Sequence, residues 1–314
     1  MHQVSIYGRD LLSLHEYNPN EIRSIITLSL KLKNGVHPPS TLKGKNILAL
    51  FEKPSTRTRI SMEVATESLG GHFIYIDKTT SQLARGETLR DFALVTSRYV
   101  DLIAIRAYDH NDLIEISKWA EIPVVNMLTD KFHPLQALAD VMTIIERKKG
   151  RITIAFLGDG SANTCHSLMI ASTKMGWEFR VGCPKTLTPN PEVYEMARES
   201  ASKNGGAILI TDDPVEAVKN VDVVYTDTWF SMGIKRSEER MKLLLPYQVN
   251  SKLLSHAKED VIVMHCLPWY IGEEITSDVA YGPKSVVWDQ AENRLHTAKA
   301  VLLLLLTPGF KGLT

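Results

Sequence analysis

Short runs of β-branched and aliphatic residues, each followed by a stretch with helical spacing, limit the folds open to this chain. NILALF (46–51), HFIYID (72–77), LIAIR (102–106) and PVVNM (123–127) alternate with helical patterns over 18–35, 59–71, 87–99 and 111–120. A long helical segment, HPLQALADVMTIIERKKG (133–150), ends in a basic turn and Gly150, and the pattern then restarts. RITIAFLG (151–158), EFRVGCP (178–184), AILIT (207–211), DVVYTD (222–227), VIVMHC (261–266) and SVVWD (285–289) read as strands, with helices over 163–175 and 191–204. Strands that are apolar on both faces belong to parallel sheets covered by helices on both sides. The expected fold class is therefore α/β, with two doubly wound parallel-sheet domains linked by helices. The break predicts domains over 1–140 and 141–290, with a last helix at about 291–314 packing back on the first.

Composition narrows the partners. The chain has 314 residues, 44% hydrophobic and 23% charged, with 36 basic residues against 36 acidic ones. Zero formal charge gives no general pull toward nucleic acid or an anionic membrane, so an anion site must be local. Cys165, Cys183 and Cys266 are odd in number and far apart, with neither disulfide-framework nor CxxC metal spacing. This usage suits a reducing cytoplasm. MHQVSIYGRDLLSL lacks a basic region followed by an apolar core, so no signal peptide is expected. The apolar run near residue 300 is far shorter than the roughly 18 residues of a membrane span.

Polar residues just beyond strand ends are where ligands gather in open α/β sheets. FEKPSTRTRIS (51–61) sets three hydroxyls and two guanidiniums in Ser55–Arg59, at a strand-to-helix junction. Capping by Ser55 or Thr56 explains the hydroxyls. It does not explain the arginines, because cations oppose the macrodipole at a helix N-terminus. An anion held by N–H groups, hydroxyls and a guanidinium fork explains both. Arg106 ends LIAIR, while His133 and Gln136 open the helix after PVVNM. Together they suit a phosphate beside a polar carbonyl.

In the second half, GDGSANTCHS (158–167) supplies Gly158 and Gly160 but no third glycine, which makes a dinucleotide fingerprint weak. Asn163 at this helix entry is a cap by default and a carboxylate ligand as the alternative. TDTWFSMG (226–233) places Asp227 at a strand end before a Ser-Met-Gly turn, a pattern suited to an amine and a mobile lid. HCLP (265–268) puts the Cys266 thiol at another strand end, and DQAENRLH carries Arg294.

STRTR, HPLQ and HCLP, in this order and separation, resemble the aspartate/ornithine carbamoyltransferase family, and TDTWFSMG resembles its ornithine-specific branch. The similarity runs from GRDLLSL through SQLARGET, SRYVD, FHPLQALAD and YQVNSKLL to DQAENRLHTAKAV. The resemblance implies that Ser55, Thr56, Arg57 and Thr58 bind the phosphate of carbamoyl phosphate. Arg106, His133 and Gln136 would hold phosphate and carbonyl, with Arg294 on the last helix. Gln82 would be lent by a neighbouring subunit, implying a homotrimer or a multiple of trimers. Asn163, Asp227, Ser231 and Met232 map to the ornithine site, while Cys266 and Leu267 border the carbamoyl group. The catalytic set would be Arg57, Arg106, His133 and Cys266. The chain departs from the family pattern at Ser161–Ala162, at Leu135 and in WYIGEEI after HCLP.

The implied activity is carbamoyl transfer from carbamoyl phosphate to the δ-amine of L-ornithine, giving citrulline and phosphate in the cytoplasm. Attack is expected to be direct, with carbamoyl phosphate binding first and no metal or cofactor required. The nearest alternative is a carbamoyltransferase for another amine such as putrescine, which lacks the α-carboxylate. A nucleotide-dependent oxidoreductase and a non-catalytic amino-acid-binding protein are the rivals from other classes.

Overall fold

A computed structural model describes residues 5–36, 41–231 and 233–310. The chain divides into two compact units, Met1–Met142 with Glu292–Thr314, and Thr143–Ala291. Each is an α/β unit around a parallel sheet.

In the first unit, β1 (Asn46–Phe51), β2 (His72–Asp77), β3 (Leu102–Arg106) and β4 (Val124–Leu128) lie in the order β2-β1-β3-β4, all parallel. β3 and β4 are buried along their whole length, as their unbroken apolar runs require, whereas β2 is a partly exposed edge. One core layer joins Leu48, Leu50, Ile103, Ile105 and Val124 to Phe92, Leu113 and Ile116 of the covering helices. Leu11 adds a bridge beside β4, donating its N–H to Val124 and accepting from Asn126.

The second unit orders β5 (Thr153–Leu157), β6 (Glu178–Gly182), β7 (Ala207–Thr211), β8 (Val223–Thr226) and β9 (Ile262–His265) as β7-β6-β5-β8-β9, again all parallel. The helices Asn163–Lys174 and Pro191–Asn204 carry the crossovers on one side of β5. SVVWD is not a strand. Ser285 makes one isolated bridge to Val263, and the helix Val287–Leu306 begins two residues later. Val263 donates to the Lys284 carbonyl and accepts from the Val286 N–H, so this short segment satisfies the sheet edge. Asp289 then supplies the acidic first turn that a helix N-terminus favours.

Helix Pro19–Lys33 shows local sequence acting alone. Asn18 accepts from the N–H groups of Asn20 and Glu21, and Glu21 accepts from the Asn18 N–H at 2.7 Å. This capping box, with Pro19 in the first turn, starts the helix where the residues direct. Asn18→Ala should cost about 1 kcal/mol, read as a lowered urea midpoint of the transition that includes the first unit.

Candidate active site

Both sheets have one point where the strand order reverses, and there the loops diverge and leave a crevice beyond the strand ends. In the first sheet this point lies between β1 and β3. Residues 52–56 leave β1 there and Arg106 ends β3. The Glu52 N–H donates to the Arg106 carbonyl at 2.9 Å, which keeps the two strand ends together. The β3–β4 register shifts between Ile105, opposite Asn126, and Arg106, opposite Leu128, so β4 carries one extra residue beside the end of β3.

Helix Arg57–Ser68 begins after Thr56, which makes no side-chain capping bond, and its first turn holds no acidic residue. Simple capping therefore does not account for Thr56. The two arginines separate: Arg59 is exposed and lies 3.9 Å over the Tyr75 ring, while Arg57 is half-buried and acts on His133. Ser55 is half-buried and Thr56 exposed.

Thr58 is buried, and its hydroxyl accepts from Arg294 Nη2 at 2.8 Å. Arg294 Nη1 donates to Gln136 Oε1 at 2.7 Å, and Gln136 Nε2 donates to Asp140 Oδ1 at 2.8 Å. His133, immediately before the helix Pro134–Arg147, is 1% exposed. Burial pushes its imidazole pKa well below the usual 6.5, and the guanidiniums of Arg294, Arg106 and Arg57 push it the same way. Three cations thus converge on a neutral imidazole.

Sequence reasoning passed over Lys53. It is 4% exposed, with its ammonium 4.3 Å over the Tyr108 ring. Burial and then the neighbouring Arg106 lower its pKa, which places it close to Arg106 at this strand end. Its place two residues before Ser55 was the only sequence signal. Gln82 stands apart from this cluster, exposed on the short 3₁₀ helix Gln82–Arg85, where Leu83 is the buried anchor.

In the second sheet the reversal lies between β5 and β8. Gly158, at φ +115°, follows β5, and a Cβ there would lie 3.1 Å from Trp229 Nε1, while a Cβ at Gly160 would lie 2.7 Å from the Leu187 carbonyl. Both glycines serve close packing of the chain on itself. Asn163 opens the helix that follows, after Ala162, which makes no side-chain cap.

Asp227 follows β8. Thr164 Oγ1 donates to its Oδ2 at 2.8 Å, and the Thr228 N–H donates to Oδ1 at 2.9 Å. The residue keeps some exposed surface, but its carboxyl is sequestered, and burial raises its pKa. His265 opposes that rise to the extent that it is protonated, as do the donors Thr164 and Thr228, while Glu274 adds to it. Arg240 secures the next turn by donating to the Trp229 carbonyl at 2.9 Å and pairing with Asp159. Ser231 is half-buried, and Met232 lies outside the described residues.

Beyond β9, the Leu267 N–H donates to His265 Nδ1 at 2.8 Å. The proton is therefore on Nε2, 3.1 Å from Glu274 Oε1, which also accepts from the Tyr270 N–H. His265 and Glu274 have fully buried side chains. Cys266 is half-buried, and Leu267 adopts φ +60°, a left-handed conformation uncommon for such a residue. Thr164, His265 and Glu274 were absent from the sequence-based site. Among the described residues, no group of three or more His, Cys, Asp or Glu is placed to hold a metal ion, and no helix is long and apolar enough to cross a membrane.

Chemically, the first unit offers cations and a neutral imidazole, suited to an anion beside a carbonyl. The second offers a carboxylate and a carboxamide, suited to an amino acid. Two family models match: aspartate/ornithine carbamoyltransferase, carbamoyl-P binding domain, over residues 9–146, and aspartate/ornithine carbamoyltransferase, Asp/Orn binding domain, over residues 150–305. The chain is 50% identical over 310 residues to the ornithine carbamoyltransferase of Pyrococcus abyssi, covering 96% of this chain and 97% of that protein. It is 49% identical to the anabolic ornithine carbamoyltransferase of Pyrococcus furiosus, covering 96% of this chain and 98% of that one. The solved ornithine carbamoyltransferase from Pyrococcus furiosus superposes with a TM-score of 0.93 at 48% identity, over 97% of this chain and 99% of that chain.

The neutral His133 has a thermodynamic consequence. Its folded pKa lies below its unfolded value, so the unfolded chain binds a proton that the folded one refuses as pH falls through 6.5. Stability should then fall by up to about 1.4 kcal/mol per pH unit from this group alone, until its folded pKa is reached. His133→Asn should remove that component, seen as a shallower loss of urea stability between pH 6.5 and 5 than in the parent protein.

Proposed function

We propose that this chain, which belongs to the aspartate/ornithine carbamoyltransferase family, transfers the carbamoyl group of carbamoyl phosphate to the δ-amine of L-ornithine, yielding L-citrulline and phosphate. The observation that carries the reading is the burial of Arg106, His133 and Arg294 in the first unit, with Arg294 bonded to Thr58 and Gln136 and the guanidiniums of Arg294, Arg106 and Arg57 favouring a neutral His133. Such a density of positive charge matches a dianionic phosphate.

Ser55, Thr56, Arg57 and Thr58 bind the phosphate, through hydroxyls, guanidinium and the N–H groups of the first helical turn. Arg106 and the neutral His133 donate to the carbamoyl oxygen as it becomes anionic. Removing one such donor typically costs roughly 2.7–4 kcal/mol. Gln136 and Arg294, bonded to each other, hold the carbonyl end of the cluster. Asp227 takes the α-ammonium of ornithine, and Asn163 with Ser231 and Met232 holds its α-carboxylate. Cys266 and Leu267 flank the reacting amine, with Cys266 a polar contact rather than a nucleophile.

An ammonium has no lone pair, so the δ-amine attacks in its neutral form. The carbamoyl carbon gains a C–N bond, the C–O bond to phosphate breaks, and the amine proton passes to an oxygen of the departing phosphate. Phosphate is already a competent leaving group, so no covalent enzyme intermediate is needed. Alignment of the two reactants can account for about 7–11 kcal/mol of the lowered barrier. Carbamoyl phosphate binds first, because its charge offsets the guanidiniums that would otherwise repel a cationic amino acid.

Gln82, exposed on its 3₁₀ helix, reaches the carbamoyl phosphate of a neighbouring subunit in a homotrimer or a multiple of trimers. The enzyme acts in the cytoplasm, in the biosynthetic direction.

Carbamoyl phosphate offered with ornithine, putrescine or aspartate should give a ureido product with ornithine far faster than with the others. Comparable turnover of putrescine would overturn the acceptor assignment. Arg57→Gly should lower kcat by orders of magnitude with an unchanged circular dichroism spectrum, and near-normal turnover would remove Arg57 from the phosphate site.

A further inference from the structure

We propose that Thr164 is a positioning residue for the acceptor amino acid, orienting the Asp227 carboxylate and keeping it charged for the α-ammonium. The proposal rests on the assignment of Asp227 to the ornithine α-amine made above.

Asp227 is pinned on both oxygens from different parts of the second unit. Oδ1 accepts from the Thr228 N–H in its own chain direction, at 2.9 Å. Oδ2 accepts from the Thr164 hydroxyl at 2.8 Å, and Thr164 sits on the helix that follows β5, on the other side of the strand-order reversal. Thr164 is 3% exposed, so this bond competes little with water. Two donors from two elements fix the rotation of the carboxylate and leave its remaining lone pairs in defined directions.

The same bond bears on ionisation. Burial of the carboxyl favours its neutral, protonated form, which cannot attract an ammonium. The charged and titratable groups facing Asp227 are His265 at the end of β9 and Glu274 in the loop beyond it. Glu274 favours the neutral form, and His265 favours the charged form only when it is itself protonated. His265 is the largest influence opposing burial, and the uncharged donors Thr164 and Thr228 come next and act whatever charge His265 carries. Of these two donors only Thr164 is a side chain, and therefore it can be changed without rebuilding the backbone.

The test uses the full-length enzyme loaded with carbamoyl phosphate and 2-aminopentanoate, the ornithine isostere without a side-chain amine. This probe does not react, and its α-groups do not titrate between pH 5.5 and 8. For Thr164→Val, binding should weaken severalfold at pH 8, and the acid loss of affinity should begin about one pH unit higher than in the parent. At the acid end this is a further tenfold loss, equivalent to about 1.36 kcal/mol. Affinity for carbamoyl phosphate should not change. Thr164→Ser, which restores the hydroxyl, should recover both the affinity and the pH profile.

A Thr164→Val profile superimposed on the parent would overturn the proposal, as would a Ser variant that behaves like Val. Asp227→Asn separates the two levels. If it binds 2-aminopentanoate as well as the parent, the acceptor assignment itself fails. If it loses binding while Thr164→Val does not, only the role of Thr164 fails. Thermal unfolding of each variant, together with retained carbamoyl phosphate binding, shows that the variant is folded.

Discussion

A buried guanidinium must have acceptors, and the rest of the first unit is arranged around that need at Arg294. Its two arms reach Thr58 and Gln136, residues 236 and 158 positions away in the chain. Gln136 passes the polarity on to Asp140, so the series ends on a carboxylate. Leaving such a charge without partners would cost several kcal/mol, whereas a satisfied network in low dielectric is rigid. The tie therefore does two things at once. It fastens the last helix to the first sheet's helices, and it fixes one of the three cations that bear on His133.

The two units reach their sites by the same topological route and fill them with opposite chemistry. Each sheet reverses strand order once, and each reversal exposes loop backbone and strand-end side chains without disturbing the buried strands. In the first unit the strand ends carry Lys53 and Arg106 beside a helix start free of acids. In the second they carry Asp227, with His265 and Glu274 behind it. The apolar strands could be exchanged for other apolar strands with little chemical consequence. The residues one or two positions past each strand could not.

That separation explains what was legible in the sequence. Strand positions followed from apolar runs, because a strand buried on both faces permits little else. Strand-end residues such as Arg106 and Asp227 stood out by following those runs. SVVWD misled because three apolar residues match a strand and the first turn of a buried helix equally well, and only the long helical pattern behind them decides. The partners of the site were less visible. Thr164 reads as one hydroxyl in a helix start, and its bond to Asp227 spans 63 residues. Glu274 lies in a segment with no periodicity, and its contact with His265 depends on a loop that returns beneath the strand end. Pairing across a fold is set by topology, and local residue type carries no trace of it.

Burial acts on His133 and Asp227 in one direction, favouring the neutral form of each, yet the proposed chemistry asks for opposite outcomes. A neutral imidazole is what a carbonyl needs from a hydrogen-bond donor among cations, so burial and the guanidiniums work together at His133. An ammonium needs a charged carboxylate, so at Asp227 burial works against function and must be countered locally. Countering it with a nearby cation would repel the ammonium that the site is proposed to hold. Neutral donors avoid that conflict, since a hydroxyl and a backbone N–H stabilise the carboxylate and add no net charge. Asp227 has two donors of this kind, which supplement the opposition that His265 offers to burial, so the neighbours of each group as well as its burial set its titration.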